Sequence, residues 1–121
     1  EAIKISSGNS FVHETESQVI LNGSRDINFT LDLVLKDIGL FQKMAESLDI
    51  PLEISPLLNR IVAKGIDKLG PRANSPSIIS LLENSTGLDV TAPGFPSQIN
   101  DNEPETLGSE VVPKSSYDSN K

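Results

Sequence analysis

Phe29, Lys36 and Asp37 are the side chains of this sequence whose types and spacing could do chemistry together. An ammonium next to a carboxylate can both donate to and accept from a polar ligand, and an aromatic ring supplies an apolar wall. All three fall in the run Phe29-Thr-Leu-Asp-Leu-Val-Leu-Lys36-Asp37-Ile-Gly-Leu40. Seven and eight residues are about two helical turns, so a helix reaching back to Phe29 puts them on one side. There they would line a cleft against a surface that the helix does not supply. Each also has a plainer reading. Lys36 follows Asp32 by four residues, the favourable order for a surface ion pair worth about 0.2–0.5 kcal/mol. Phe29 can be a hydrophobic plug at the helix entrance, and Asp37 a solvated charge.

The elements that must hold these residues read as helices joined by punctuated loops. Ser10 is the expected N-cap of a helix over Phe11–Leu21, which Asn22-Gly23-Ser24 ends. Thr30 or Asn28 opens a long helix to Leu48, with Leu31, Val34, Leu35, Ile38, Phe41, Ala45 and Leu48 expected to be buried. Ser55-Pro56 looks like an N-cap followed by the residue favoured at the first helical position. The helix after it should pack Leu58, Ile61, Val62, Ile66 and Leu69 and stop at Gly70-Pro71. Ser75-Pro76 repeats the start signal for a short helix ending near Gly87. No strand period runs beyond a few residues. The fold class is all-α.

The stretch from Ile5 to about Leu82 resembles the helical C-terminal domain of the 3-hydroxyisobutyrate dehydrogenase (β-hydroxyacid dehydrogenase) family. The matching pieces are Ser6-Ser7-Gly8-Asn9-Ser10, Phe29 with Leu31–Leu40, and Asp49-Ile-Pro51-Leu52. The resemblance implies a truncated bundle of the 6-phosphogluconate-dehydrogenase-like fold, with NAD or NADP as cofactor and a small 3-hydroxyacid as substrate. It further implies that Lys36 reaches toward the cofactor while Phe29 and Asp37 shape the substrate cleft, and that these domains form homo-oligomers. Ser6, Ser7 and Ser10 are most simply loop and cap residues. The family's Gly-x-Gly-x-x-Gly turn and its Gly-x-x-x-Lys-x-x-x-Asn helix do not occur in the sequence. The catalytic lysine is therefore not expected in this chain, Lys4 is not a substitute for it, and Glu1–Ile5 is expected to be the end of a cut helix.

Composition narrows the classes further. The 121 residues include no cysteine and one histidine, His13, expected to be exposed, so no metal site is expected. No run of about 18 apolar residues offers a membrane span. A net charge of −7 argues against nucleic acid or an anionic membrane as a partner. The expected location is the cytoplasm or the mitochondrial matrix. Residues 1–92 carry 12 acidic and 8 basic side chains and form the expected helical substrate and oligomerisation domain. Residues 93–121, with 5 acidic and 2 basic side chains, four prolines and no apolar period, read as a disordered or loosely docked tail. Phe95, Leu107, Val111, Val112 and Tyr117 are its candidate docking points. So few helices should leave apolar surface uncovered. Two functions follow: the C-terminal domain of an NAD(P)-dependent 3-hydroxyacid dehydrogenase, inactive alone, or a non-catalytic helical dimerisation and interaction module.

Overall fold

A computed structural model describes residues 2–99 and 108. Its helices are α1 (Phe11–Asn22), α2 (Leu31–Ser47), α3 (Ile54–Leu69) and α4 (Ser80–Thr86), with a 3₁₀ turn (Ser75–Ile79) leading directly into α4. Among the described residues there is no strand, only an isolated antiparallel bridge between Thr30 and Asn74. The fold is all-α.

Capping chemistry sets the bounds of α1. Ser10 is extended (φ −155°, ψ 161°), and its hydroxyl accepts the His13 N–H at 3.0 Å. At the other end Gly23 adopts φ 89°, which only a residue without Cβ reaches easily, and donates to the Val19 and Ile20 carbonyls. His13 itself is half-buried rather than exposed.

The start of α2 is tied down from a distance. The Leu31 N–H donates to the Ala73 carbonyl at 2.9 Å and the Asp32 N–H to the Pro71 carbonyl at 3.0 Å. Asp32 Oδ1 accepts the Leu33 N–H at 3.0 Å. Three of the N–H groups that a helix start leaves unpaired thus find acceptors, two of them in the loop after α3. Asn59 of α3 donates to Gln42 of α2, and Gly65 lies against Leu31, so the two helices run antiparallel. Leu31 is 1% exposed and Val19 0%. A Cβ on Gly65 would sit 3.2 Å from Ile78 and 3.4 Å from Leu31, so the bare glycine is what allows this close approach.

Several sequence expectations need correction. Ser55 is not an N-cap: α3 begins at Ile54 with Glu53 flanking it, and Pro56 falls in the first turn, where its missing N–H costs nothing. Glu1–Ile5 does not continue a helix over its described part; Ser6 donates to Ile3 and Asn9 to Ser6 in successive turns. Phe41 and Leu48 are 51% and 63% exposed, and Leu58 and Ile61 are each 44% exposed. The helical period placed these four side chains toward a neighbour, but no described element covers that side of α2 and α3.

The early part of the tail is docked without any apolar period. Ala92 N–H donates to the Leu21 carbonyl at 2.8 Å, Asn22 to the Phe95 carbonyl at 2.8 Å and Ser24 to the Ser97 carbonyl at 2.6 Å. Phe95 is half-buried. Leu107, Val111, Val112 and Tyr117 lie outside the described residues.

Two stability outcomes follow. Leu31→Ala should cost about 2–5 kcal/mol in urea unfolding, because a fully buried side chain leaves a cavity. Ending the chain after Thr91 rather than after Ile99 should lose about 1 kcal/mol, roughly 4–8 °C in Tm. Identical melts for the two lengths would mean that the bonds to Asn22 and Ser24 contribute nothing.

Candidate functional site

Lys36 and Asp37 sit two turns along α2 and pair with each other. Lys36 Nζ lies 2.9 Å from Asp37 Oδ1, and the two side chains are 56% and 53% exposed. The expected Asp32–Lys36 pair is not formed. Asp32 instead accepts the Thr30 hydroxyl and the Leu33 N–H on one oxygen and Arg72 Nη1 at 3.2 Å on the other. A first-turn carboxylate lies closer to the orphan N–H groups at the helix start than to a lysine one turn on. Those contacts, the Thr30 hydroxyl above all, hold the Asp32 carboxyl below its ordinary pKa.

Phe29 does not share the helical phase of the other two. Thr30 is extended at φ −95°, so the 3.6-residue period ends before Phe29 is reached. Phe29 is 37% exposed, and its carbonyl accepts the Ser75 N–H at 2.7 Å. Lys36 and Asp37 lie five and six residues beyond the helix start at Leu31, roughly 8–9 Å along the axis at 1.5 Å per residue. The three therefore lie along one stretch of the chain without converging on one pocket. Ser6, Ser7 and Ser10 behave as turn and cap residues: the Ser6 hydroxyl bonds the Ile3 carbonyl, and Ser10 caps α1.

Asp37 does line an open groove of about 620 Å³ between α2 and α3. Ile38, Phe41, Leu52 and Leu58 wall it, and its polar side chains are Asp37, Glu53 and Ser55. Ser55 is 8% exposed, and among the described residues its hydroxyl has no hydrogen-bond partner. Sequence reading took Ser55 for a cap and so missed this feature. Its signal was faint: a serine before a proline, flanked by apolar residues.

A second cleft of about 560 Å³ lies between the end of α1 and the end of α4, around Arg25, Glu83, Asp89 and Thr91. Its charges are already committed. The Arg25 guanidinium pairs with Glu83, whose other oxygen accepts the Val90 N–H at 3.3 Å. Hydrogen bonds from Thr91, aided by the nearby Arg25 charge, hold the Asp89 carboxyl below its usual range. The Arg25–Glu83 contact spans 58 residues of sequence, so no local pattern announces it. It is a clasp that fixes the loop after α1, which leaves the Lys36–Asp37 pair and the α2–α3 groove as the candidate site. Among the described residues no cluster of His, Cys, Asp and Glu could hold a metal ion, and no helix is long and apolar enough to cross a membrane.

A family model described as "NAD-binding of NADP-dependent 3-hydroxyisobutyrate dehydrogenase" matches residues 1–82. That is about two thirds of the chain and includes Phe29, Lys36, Asp37 and Ser55. Neither a curated protein nor a solved structure gives a match. The chain belongs to the 3-hydroxyisobutyrate dehydrogenase family, in the region that the description calls NAD-binding.

The pH response of Asp32 tests the anchor of α2. Its folded pKa is lowered, so its contribution is present above the unfolded value near 3.9 and is lost as pH falls through the folded value. Asp32→Asn should therefore lower Tm at pH 7 and flatten the loss of stability on going from about pH 5 to pH 3. Parallel Tm–pH curves for the two proteins would contradict this assignment.

Proposed function

We propose that this chain is the helical C-terminal domain of an NAD(P)-dependent 3-hydroxyacid dehydrogenase, with Lys36 on the cofactor side of the cleft and Asp37 and Phe29 on the substrate side. The observation that carries the proposal is the Lys36–Asp37 pair inside the matched region. Both side chains are more than half exposed, and among the described residues their one ionic contact is with each other. Packing does not require them there. An exposed pair is worth little to stability, so a functional role is the better reason for this arrangement.

The residues present fit only part of a dinucleotide. Its pyrophosphate needs a glycine-rich turn between a strand and a helix start. No such turn occurs in the sequence, and the described residues form no strand. The pyrophosphate therefore belongs to another domain. Lys36 fits the other end. With one N–H held by Asp37, its ammonium keeps two donors for the ribose or carboxamide oxygens of a nicotinamide. When bound, the nicotinamide supplies hydride transfer. Asp37 keeps one oxygen free to accept from a substrate hydroxyl, and its contact orients the Lys36 ammonium. Phe29, two residues before the start of α2, offers a partly exposed apolar surface on the approach to the helix. The proton on the substrate hydroxyl is handled by a lysine outside this sequence, so this chain alone is expected to be inactive.

A second reading is a non-catalytic helical interaction module, which the uncovered apolar groove favours. Kinetics separate the two. In the protein that joins this domain to its dinucleotide-binding domain, Lys36→Ala should lower kcat/KM at least tenfold, about 1.4 kcal/mol. Tm should stay nearly constant. Lys43→Ala, another exposed lysine on α2, is the control and should stay close to wild type; Asp32 cannot serve because it anchors the helix. Equal kinetics for the two lysine variants would favour the interaction module.

A further inference from the structure

The end of α1 holds a reactive dipeptide beneath a strap of the same chain. Asn22-Gly23 is the one Asn-Gly pair in the sequence. Glycine has no side chain to hinder its backbone nitrogen from closing a five-membered ring onto the neighbouring carboxamide, which makes this pair chemically labile. In the folded chain neither partner is free to react. The Gly23 N–H donates to the Val19 and Ile20 carbonyls at 3.1 and 3.0 Å, and Asn22 Nδ2 donates to the Phe95 carbonyl at 2.8 Å. Ring closure also requires Asn22 to leave the helical backbone conformation that it holds as the last residue of α1. The Ala92 N–H bonds the Leu21 carbonyl, the Ser24 hydroxyl bonds the Ser97 carbonyl, and a Cβ on Gly23 would sit 3.1 Å from the Thr91 methyl. Each of residues 21–24 is thus met by one of residues 91–97. Asn22 and Gly23 are themselves exposed, so water and base reach them once the strap lifts.

We propose that Asn22 is a self-modifying site guarded by residues 91–97, and that its modification releases them. When the strap lifts and the last turn of α1 frays, the Gly23 nitrogen gives its proton to a base in solvent and bonds Asn22 Cγ. The Cγ–Nδ2 bond breaks, and Nδ2 leaves as ammonia with a proton from water. Water then opens the cyclic imide at one of its two carbonyls, leaving aspartate or, with the main chain routed through Cγ, isoaspartate. No oxidant or reductant takes part. Either product trades the amide that donates to Phe95 for a carboxylate, which a carbonyl oxygen repels. The new charge also stands at the C-terminal end of a helix, where negative charge is unfavourable. Isoaspartate further lengthens the backbone just before the left-handed Gly23 cap. Release is therefore one-way: the strap closes over asparagine and not over its product.

The full chain is aged in mildly alkaline buffer, folded and in guanidinium chloride, and the mass gain of amide-to-acid conversion is mapped by peptide mass spectrometry. Conversion at Asn22 should be at least tenfold slower in the folded chain, because it proceeds only through local opening. Ala92→Pro, which removes the donor to Leu21, should speed it several-fold while amide exchange in α2 and α3 stays at wild type. Gln98→Ala, which removes only the bond to Asp26 at 3.3 Å, is a milder second variant and should act in the same direction. Asn22→Asp stands for the product. It should speed amide hydrogen exchange over residues 92–97 at least tenfold, again with α2 and α3 unchanged. Any of three results overturns the proposal: equal conversion in the folded and unfolded chain, wild-type conversion in both strap variants, or unchanged exchange over residues 92–97 in Asn22→Asp.

Discussion

A helix start leaves N–H groups that must be paired, and in this chain the loop after α3 pairs two of those at the start of α2. The Ala73 and Pro71 carbonyls accept from Leu31 and Asp32, while Asp32 turns its own carboxylate back onto Leu33. Arg72, from the same loop, closes the circuit onto Asp32. Leu31 can then be driven fully into the core, against a glycine at position 65 that yields the necessary space. Everything further along α2 inherits this anchoring. Lys36 and Asp37 stand on a rigid helix whose origin is fixed to α3, and a site on a rigid element is held more closely than one on a loop.

The molecule is closed at one end and open at the other. At the closed end, the Arg25–Glu83 clasp and the bonds from residues 92–97 to the end of α1 satisfy their own charges and carbonyls. At the open end, the last turns of α2 and the first turns of α3 expose Phe41, Met44, Leu57 and Leu58. At about 25 cal/mol per Å² of apolar surface, covering side chains of this size is worth roughly 1–3 kcal/mol each.

Local signals in the sequence were enough for the helices. The Ser10 cap, the glycine at position 23 and the stop at Gly70 act within one turn, and each element lies close to where these residues place it. What local reading missed depends on distant partners. Asp32 serves the helix start and Arg72 rather than Lys36, because acceptors are scarcer there than cations. Phe29 left the helical phase when Thr30 took an extended conformation to bridge Asn74, 44 positions later. Phe41 and Leu58 have core periodicity but no described neighbour to meet. The period reports what a helix is built to bury and says nothing of which chain supplies the cover. Local spacing paired Lys36 with Asp32, four residues back, whereas its ionic contact is with the adjacent Asp37.

The central claim is that Lys36 faces bound nicotinamide nucleotide in the two-domain protein. Competitive acylation of lysines followed by mass spectrometry measures this directly, with Lys43 on the same helix as internal reference. The account predicts that saturating nucleotide, NADP or NAD, slows Lys36 acylation at least several-fold and leaves Lys43 unchanged. Equal rates at Lys36 with and without either nucleotide would contradict it.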